Sequence, residues 1–420
     1  MRRMDNPAAL PILQGMTRDF DIIITGGGLN GPTLALALAQ SGLRVCVIDA
    51  LPRDTRADPG FDGRSYALAL ASVRMLRAIG IWPAVAGDAQ PMNEIKVSDG
   101  RAGEGASPWW LHFDHAEIEE GPMGHMVEDR HLRRALLDAM EAMDGVTHLP
   151  GESVVAQTAD AQGVTVTLAS GRLLSGALLV GADGRQSSTA ARAGITRTGW
   201  GYGQTAIVCA VAHALPHHGI AHQFFMPHGP LAILPLTGNR CSIVWSETDS
   251  RAAEVMALDD EAFLAALRPA FGSFLGDITL AGARFSYPLG LTLANSLVAC
   301  RMALVGDAAH GVHPIAGQGL NAGLRDVAAL ADVLGAARRR GEDIGSAQVL
   351  ARYQQWRRFD TATLALATDT FNRLFSNDIG PIRALRDLGL GAVNAMPALR
   401  RSFIREAAGL TGDMPALMRR

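Results

Sequence analysis

Runs of apolar residues recur along the chain, and most of them lead into a glycine-rich turn. Near the N-terminus, Asp21–Thr25 and Leu43–Ile48 are built around such runs, and the segment Pro32–Gln40 between them has the composition of a helix. Similar runs occur at Leu178–Val180 and Met302–Val305. Runs that lack polar alternation predict strands buried on both faces. Such strands, separated by helices, predict an α/β fold with a Rossmann-like sheet.

A second pattern fills the stretches between those segments. Short strand-like runs with Gly, Pro and Asn turns occur at Ile95–Ser98, at Trp109–Phe113 and from about residue 205 to residue 287. They predict a second sheet, and the run from His222 to Leu236 is expected to line the substrate side. From Ala351 onward the sequence predicts helices, with breaks near two prolines, Pro381 and Pro397.

The turn after the first strand has a recognisable glycine spacing. Gly26, Gly28 and Gly31 fill the three glycine positions of the dinucleotide-binding fingerprint. In that fingerprint one glycine makes the tight turn, one lets a pyrophosphate approach the backbone, and one lets helix and strand pack closely. Asp49 ends the next strand, where a carboxylate can accept hydrogen bonds from a ribose. This pattern fits NAD and FAD equally well.

Another glycine-containing turn follows the strand Met302–Val305. It begins with Gly306 and Asp307 and leads through a Pro/Gly-rich loop into an amphipathic helix. The apolar positions of that helix are Leu320, Leu324, Val327, Ala328, Ala331 and Leu334. A carboxylate and free backbone N–H groups at a helix N-terminus suit a polyhydroxylated cofactor that acquires negative charge, such as a reduced flavin.

In order and spacing, Gly26–Gly31, Asp183-Gly184 and Gly306-Asp307 resemble the motifs of the class A flavoprotein aromatic hydroxylases, and the resemblance covers nearly the whole chain. Four further segments resemble the ubiquinone-biosynthesis (2-polyprenylphenol hydroxylase-like) branch of that family: Asp62–Arg64, Glu128–Arg133, His313–Asn321 and Tyr353–Arg358. The segment His313–Asn321 is the most specific of them. Asp129 departs from the branch, which usually carries Asn there.

The resemblance implies a particular domain organisation. Residues 18–83, 126–196 and 291–345 are expected to form a discontinuous FAD-binding domain, of the type seen in glutathione reductase and p-hydroxybenzoate hydroxylase. Residues 84–125 and 197–290 are expected to form an inserted β-sheet substrate domain, laid across the flavin. Residues 346–420 are expected to form a C-terminal helical region.

The resemblance also assigns cofactor-binding roles to individual residues. The Gly26–Gly31 loop and Asp49 would hold the adenosine ribose and the pyrophosphate, helped by the fixed positive charge of Arg64 and by Arg130. For each of these two arginines, a surface ion pair remains the alternative. Asp183 would shape its turn and support the approach of the nicotinamide. Asp307 would bind a ribityl hydroxyl next to Gly306. The predicted set is completed by the helix start, where backbone N–H groups would face the flavin edge that becomes negative: Gly317, Gly319, Leu320 and Asn321.

The implied reaction inserts one oxygen atom from O2 into the aromatic ring of a prenylated phenol intermediate of ubiquinone biosynthesis. NAD(P)H would reduce the FAD, and a C4a-hydroperoxyflavin would attack the ring. His313 and Pro314 are the candidate catalytic residues beside the ring, and a structural role for His313 remains open. No metal site is expected, because no third ligand completes the pair His310 and His313. Two alternatives remain: a hydroxylase of small soluble phenols, and a non-catalytic flavoprotein subunit of a ubiquinone-biosynthesis complex.

Composition and charge restrict the possible functions and the cellular location of the protein. The chain has 420 residues, a formal net charge of −3 and four cysteines without metal or disulfide spacing. This balance argues against nucleic-acid binding, and the cysteines are expected to be buried free thiols. No apolar run is long enough to span a membrane, so we expect a cytoplasmic protein. Residues 351–420 are basic, which leaves two interpretations open: a charged face that is simply solvated, or a surface that docks on the inner face of the membrane or on other ubiquinone-biosynthesis proteins.

Overall fold

The structure, a computed structural model, describes residues 18–311 (apart from 102 and 104), 317–375, 389, 391 and 393–419. The strands in chain order are β1 Ile22–Thr25, β2 Val45–Asp49, β3 Ser65–Ala69, β4 Gln90–Met92, β5 Glu94–Arg101, β6 Gly105–Asp114, β7 Gly124–Glu128, β8 Val146–Pro150, β9 Val154–Ala159, β10 Val164–Leu168, β11 Leu173–Gly176, β12 Leu178–Gly181, β13 Arg197–His213, β14 Ile220–Met226, β15 Gly229–Leu236, β16 Arg240–Thr248, β17 Ile278–Leu280, β18 Phe285–Ala294, β19 Val298–Ala299, β20 Met302–Leu304 and β21 His310–Gly311. The helices are α1 Asn30–Gln40, α2 Arg53–Arg56, α3 Leu70–Ala78, α4 Trp82–Val85, α5 Asp129–Ala142, α6 Ser188–Arg192, α7 Asp249–Met256, α8 Asp260–Phe271, α9 Gln318–Arg339, α10 Ala347–Phe375 and α11 Pro397–Ala407.

The first large sheet collects the apolar runs that end in glycine-rich turns. Its strand order is β19-β20-β12-β1-β2-β8, and β20, β12, β1, β2 and β8 are parallel. All residues of β1, β2, β12 and β20 are buried, which explains why their sequences lack polar alternation. Because these strands are parallel, the turns after β1, β12 and β20 lie at the same edge of the sheet.

The second large sheet is mainly antiparallel. Its order is β21-β18-β13-β16-β15-β14-β5-β6, with β17 paired to β13. Side chains alternate between its two faces, so Leu231 and Ile233 pack with α8 residues in one core while Ala232 and Leu234 face the opposite side. The second sheet takes most of its strands from residues 84–125 and 197–290, but β21 comes from residues 291–345. The exact domain boundaries stay a prediction.

Two long helices close the molecule behind the first sheet. Helix α9 packs against α1 and α10, and most of its residues are buried. Tyr353 of α10 is fully buried, and its hydroxyl donates to the carbonyl of Leu304 at 2.7 Å. Pro397 occupies the first turn of α11, as its fixed φ favours, whereas Pro381 lies outside the described residues. No helix in the described part of the chain is both long enough and apolar enough to cross a membrane.

One prediction about the cysteines is wrong. Cys46, Cys209 and Cys241 are buried free thiols as expected, but Cys300 is exposed. Cys300 lies with Arg301 at the tip of the tight hairpin between β19 and β20, and Arg301 has a φ of 48°. At this tip Arg301 turns inward and is buried while Cys300 lies on the exposed side, so an apolar surrounding sequence did not bury this thiol.

Candidate active site

The three glycines after β1 have three different surroundings. Gly26 has a φ of 109°, and a Cβ on it would overlap with the carbonyl of Ala182. A Cβ on Gly31 would overlap with the carbonyl of Gly26, so this glycine allows α1 to pack closely on its own strand. A Cβ on Gly28, by contrast, would meet no atom within 4 Å, and this glycine lines the large cavity described below. The loop therefore leaves its backbone open to a ligand at Gly28.

Asp49 lies at the end of β2, directly behind Gly27. Its carboxylate is only 1% exposed and binds the guanidinium of Arg56 through two hydrogen bonds of 2.6 and 2.9 Å. It also accepts the backbone N–H of Leu51 at 3.1 Å. A ribose hydroxyl could therefore reach Asp49 only if Arg56 moves away. Sequence reasoning did not anticipate this competitor.

Arg64 lines the large cavity from the position just before β3. Its guanidinium lies 2.5 Å from Asp62 and 3.4 Å from Asp129. The hydrogen bond to Asp62 raises the pKa of Arg64 above its usual value, so the positive charge is permanent. Asp129, the residue that departs from the family pattern, also binds Arg133 at 2.9 Å. The extra carboxylate is thus neutralised by two arginines, neither of which is Arg130.

The side chain of Arg130 is held by several protein groups. Its side chain binds Glu128 at 2.8 Å and the carbonyl of Pro59 at 3.0 Å, and it stacks on Phe61. Arg240 of the second sheet stacks on the same ring and lies 2.7 Å from Glu128. In the described part of the chain Arg130 is not among the residues lining the large cavity. The shared contacts with Glu128 and Phe61 make Arg130 a brace between α5 and the start of β16 in the second sheet.

Asp183 caps a short helix. Its carboxylate accepts the N–H of Thr189 at 3.0 Å and the hydroxyls of Ser187 and Thr189 at 2.5 and 2.8 Å. The Thr189 hydroxyl lies 2.8 Å from that of Thr25, which connects this turn to the end of β1. Asp183 therefore shapes the turn, and the adjacent Gly184 lines the cavity with open space beside it.

The turn after β20 brings the third motif to the same cavity. Gly306 has a φ of 62°, and a Cβ there would overlap with the side-chain amide of Asn30, in the first motif. Asp307 lines the cavity, is half-exposed, and lies 3.3 Å from the guanidinium of Arg185. The first and third motifs are therefore in direct contact.

The start of α9 forms another part of the cavity wall. Gly317 has a φ of 64°, and Gly317, Gly319, Leu320 and Asn321 all line the cavity. The Asn321 side chain donates to the carbonyl of Ala67 at 2.8 Å and accepts the N–H of Ala69 at 2.8 Å, so it fixes this helix start to β3. Both predicted catalytic residues, His313 and Pro314, lie outside the described residues.

A buried charged network supports this turn, and sequence reasoning missed it. Asp326 of α9 is fully buried and accepts hydrogen bonds from His310 at 2.6 Å, from Arg357 at 2.7 Å and from the N–H of Gly306 at 3.0 Å. Burial alone would raise the pKa of Asp326, but His310 and Arg357 outweigh it and the pKa is lowered. Arg357 belongs to the segment Tyr353–Arg358, whose family resemblance was the one sequence signal for this network.

All of these turns open into one cavity of about 1650 Å³. At one end lie Gly28, Arg64, Asp307 and the start of α9. The second sheet forms the floor, and an apolar arm continues between β6 and the C-terminal segment. The residues of that arm include Leu111, Phe113, Phe225, Val393, Phe403 and Ala407.

This donor set fits a flavin dinucleotide. Open backbone at the N-terminus of α1 and the charge of Arg64 suit a pyrophosphate, and the Asp307 carboxylate suits a hydroxyl. A model of the FAD binding domain family matches residues 19–365. The chain belongs to this family. The fingerprint that fitted NAD and FAD equally is thereby assigned to FAD.

Members of this family similar to the chain include several named hydroxylases. Ubiquinone hydroxylase UbiL of Rhodospirillum rubrum is 46% identical over 419 residues, covering 99% of this chain and 96% of that protein. The 3-demethoxyubiquinol 3-hydroxylase of Escherichia coli is 37% identical and covers 93% and 98%. The human mitochondrial ubiquinone biosynthesis monooxygenase COQ6 is 31% identical and covers 93% and 92%. The chain is therefore an FAD-dependent aromatic monooxygenase, as its sequence motifs predicted.

A solved structure supports the fold. The crystal structure of p-nitrophenol 4-monooxygenase PnpA from Pseudomonas putida DLL-E4 matches with a TM-score of 0.78, covering 94% of this chain and 99% of that chain. At 19% identity this similarity concerns the fold alone. It confirms the predicted α/β FAD-binding monooxygenase architecture.

Proposed function

We propose that this monooxygenase hydroxylates the aromatic ring of a prenylated phenol intermediate of ubiquinone biosynthesis, using NAD(P)H and O2. Two findings support the proposal. Relatives of near-complete coverage are ubiquinone hydroxylases. The cavity that receives the FAD motifs also has an apolar arm, and this is the observation that carries the substrate assignment.

The apolar arm suits a hydrocarbon tail. Leu111, Phe113 and Phe225 line it from the sheet, and Phe403 and Ala407 line it from α11. Burying each methylene of a prenyl chain in such a groove contributes about 0.8 kcal/mol. A small phenol would leave this arm without an occupant, so the prenylated substrate is favoured over the small soluble phenol.

On the cofactor side, the residues bind and orient. When bound and reduced by NAD(P)H, FAD supplies the activation of O2 for transfer of one oxygen atom to the ring. Gly28 and Arg64 would hold its pyrophosphate, and Asp307 would accept a hydrogen bond from a ribityl hydroxyl. The backbone N–H groups of Gly319, Leu320 and Asn321 would face the flavin edge that gains negative charge on reduction. Asp49 would bind the adenosine ribose after release from Arg56.

The other predicted site residues would have different roles. Gly26, Gly31, Gly306 and Gly317 would keep the turns in shape for the cofactor, and Asp183 would fix the turn that carries Gly184. Arg130 would act on the cofactor only indirectly, through the brace at Phe61. His313 and Pro314 stay predicted neighbours of the reacting ring. The apolar floor would exclude water, so that the activated oxygen is transferred to the ring and is not lost by reaction with solvent.

The test uses the purified protein with its bound FAD. We expect NAD(P)H oxidation to be stimulated by a prenylated phenol, and mass spectrometry to show a product with one added oxygen atom. Ala407→Trp, which fills the apolar arm, should reduce turnover of a long-tailed phenol much more than turnover of a tail-less phenol. A flavoprotein that turns over no prenylated phenol would contradict the proposal and favour a scaffold role. Turnover of small phenols alone would favour the other alternative.

We also propose that the protein docks on the inner face of the cytoplasmic membrane through its C-terminal region. Met396, Leu399 and Phe403 form an exposed stripe along α11, with exposed fractions of 47%, 39% and 38%. Phe403 also lines the cavity, so the stripe leads to its mouth. Residues 351–420 are basic in sum, which suits an anionic lipid surface. Docking on other ubiquinone-biosynthesis proteins stays a prediction.

Vesicle co-sedimentation tests the docking proposal. We expect binding to vesicles that contain phosphatidylglycerol, and weaker binding to neutral vesicles. Leu399→Glu should reduce this binding. Leu173→Glu is the matched control, because Leu173 is 63% exposed on the separate sheet β11-β10-β9. Equal effects of the two substitutions, or none, would contradict the proposal.

A further inference from the structure

The floor of the cavity is a regular row of side chains across six strands. Strand register connects Val208 to Val244, Val244 to Ala232, Ala232 to Gln223, Gln223 to Val97, and Val97 to Leu111. All six residues line the cavity. Five of them are apolar, and Gln223 is the exception in the middle of the row.

The next row shows how unusual this amide is. It contains Ser242, Leu234, Ala221, Ile95 and Phe113, and these also line the cavity. Its polar member, Ser242, has a short side chain and is only 2% exposed. Gln223 is half-buried and longer, so it is the polar group of these two rows that extends farthest above the floor.

The Gln223 amide is not used to hold the protein together. Its backbone is paired within the sheet on both sides. In the described part of the chain its side chain forms no hydrogen bond or ring contact, and its amide atoms are not sealed from the cavity. An amide placed in an apolar cavity without a protein partner has an unmet hydrogen-bonding capacity, which a ligand can satisfy.

The charged residues around the cavity indicate that the ligand group bound by Gln223 is neutral. Among the described residues, four arginines line the cavity, and each has a carboxylate partner: Arg64 with Asp62, Arg185 with Asp307, Arg325 with Asp360, and Arg357 with Asp326. On β5, Ile95 and Val97 face the cavity, whereas Lys96 between them pairs with Glu94. An amide whose cationic neighbours are already paired matches a hydroxyl group, to which it can donate or from which it can accept.

We propose that Gln223 binds the hydroxyl group of the substrate phenol and thereby determines which ring carbon is presented for hydroxylation. This proposal rests on the proposed function, because it takes a phenol as the occupant of the floor. Val97 and Ala232 flank the amide on the neighbouring strands and leave the ring no competing polar contact in that row. Gln223 is thus a specificity-determining residue.

The experiment compares two ligands on two forms of the holoenzyme. The ligands are a geranyl-substituted phenol and the matching geranylbenzene without the hydroxyl, and binding is followed by the change in flavin absorbance. The variant is Gln223→Met, which keeps the length of the side chain and removes its hydrogen bonds. We expect the wild-type protein to prefer the phenol by about 3- to 10-fold, the range of one net hydrogen bond. In the variant this preference should disappear, while affinity for geranylbenzene stays the same.

Turnover supplies a second readout that a merely structural role would not move. With the phenol, Gln223→Met should yield more hydrogen peroxide per NAD(P)H and a changed ratio of hydroxylated isomers. Gln162→Met, the same substitution at an exposed site in the loop between β9 and β10, should leave both unchanged. An undiminished preference for the phenol in Gln223→Met, or an equal loss of affinity for both ligands, would overturn the assignment of Gln223 and leave the proposed function intact. Failure of the wild-type holoenzyme to bind either ligand would overturn both.

Discussion

The buried carboxylate of Asp326 offers the sharpest test of how the cofactor turn is supported. Its oxygens bind two side chains and the N–H of Gly306, so one residue of α9 holds β21, α10 and the turn before Asp307. Asp326→Asn keeps the shape of the side chain and removes its negative charge. The Arg357 guanidinium, 3% exposed, would then lose its fully buried partner.

The expected loss of stability in Asp326→Asn follows from the charges that remain around Arg357. Removing one partner of a buried ion pair costs about 3–5 kcal/mol, because the other charge stays buried without compensation. Arg357 keeps a second carboxylate, Asp360, at 2.6 Å. We therefore expect Asp326→Asn to lower the free energy of unfolding by about 3 kcal/mol, at the low end of that range. The affinity for FAD should fall as well, because the Gly306 N–H loses a charged acceptor.

Urea unfolding of the apoprotein measures the first effect without the contribution of FAD binding, and fluorescence titration of the apoprotein with FAD measures the second. Asp360→Asn is the matched control, since it removes a carboxylate from the same arginine at a site that is 25% exposed. We expect it to cost less than about 1 kcal/mol, as is usual for partly solvated pairs. If the two substitutions destabilise the protein equally, or if Asp326→Asn costs less than about 1 kcal/mol, the network does not support the turn as described.

Three further predictions concern the cofactor turns and the response to acid. Gly28→Val should weaken FAD binding at least 10-fold in a fluorescence titration with little change in urea stability, because its side chain enters open space that the cofactor would need. Asp307→Asn should weaken FAD binding by about 10- to 100-fold, the value of a hydrogen bond to a charged group; unchanged affinity would exclude Asp307 from the site. Burial lowers the pKa of His125 to about 4 from 6.5, so the unfolded chain binds its proton first as the pH falls. The free energy of unfolding should therefore decrease below about pH 6.5, by about 2 kcal/mol at pH 5 from this residue, and a pH series on His125→Gln should lack that decrease.

Local features of the fold were predictable because short-range rules determine them. The buried strands β1, β2 and β12 and the glycines after β1 follow from apolar runs and turn chemistry. The start of α11 was also predictable from a local rule, because Pro397 occupies its first turn. The convergence of the three motifs followed from parallel strand order, in which the turns share one edge of the sheet.

Features that depend on distant partners were not predictable in the same way. Arg56 lies only seven residues after Asp49, but its hydrogen bonds to that carboxylate depend on how the chain turns between them. Nothing near Arg130 in the sequence indicates that it shares stacking on Phe61 with Arg240. The exposure of Cys300 depends on a hairpin tip that its apolar neighbours conceal.

The cavity floor belongs to the same group of features. The sequence predicted that the run from His222 to Leu236 lines the substrate side. The pleat divides this run, however, so that Gln223 and Ala232 face the cavity while Leu231 and Ile233 pack in the core behind the sheet. The role proposed for Gln223 required the register of six strands, which no local pattern contains.

The position of FAD in a crystal structure of the holoenzyme is the measurement that tests the central claim most directly. The account predicts the pyrophosphate at Gly28 and Arg64, a ribityl hydroxyl on Asp307, and the flavin ring between the start of α9 and the sheet that carries Gln223. A dinucleotide bound outside this cavity, or with its flavin ring turned away from that sheet, would contradict it.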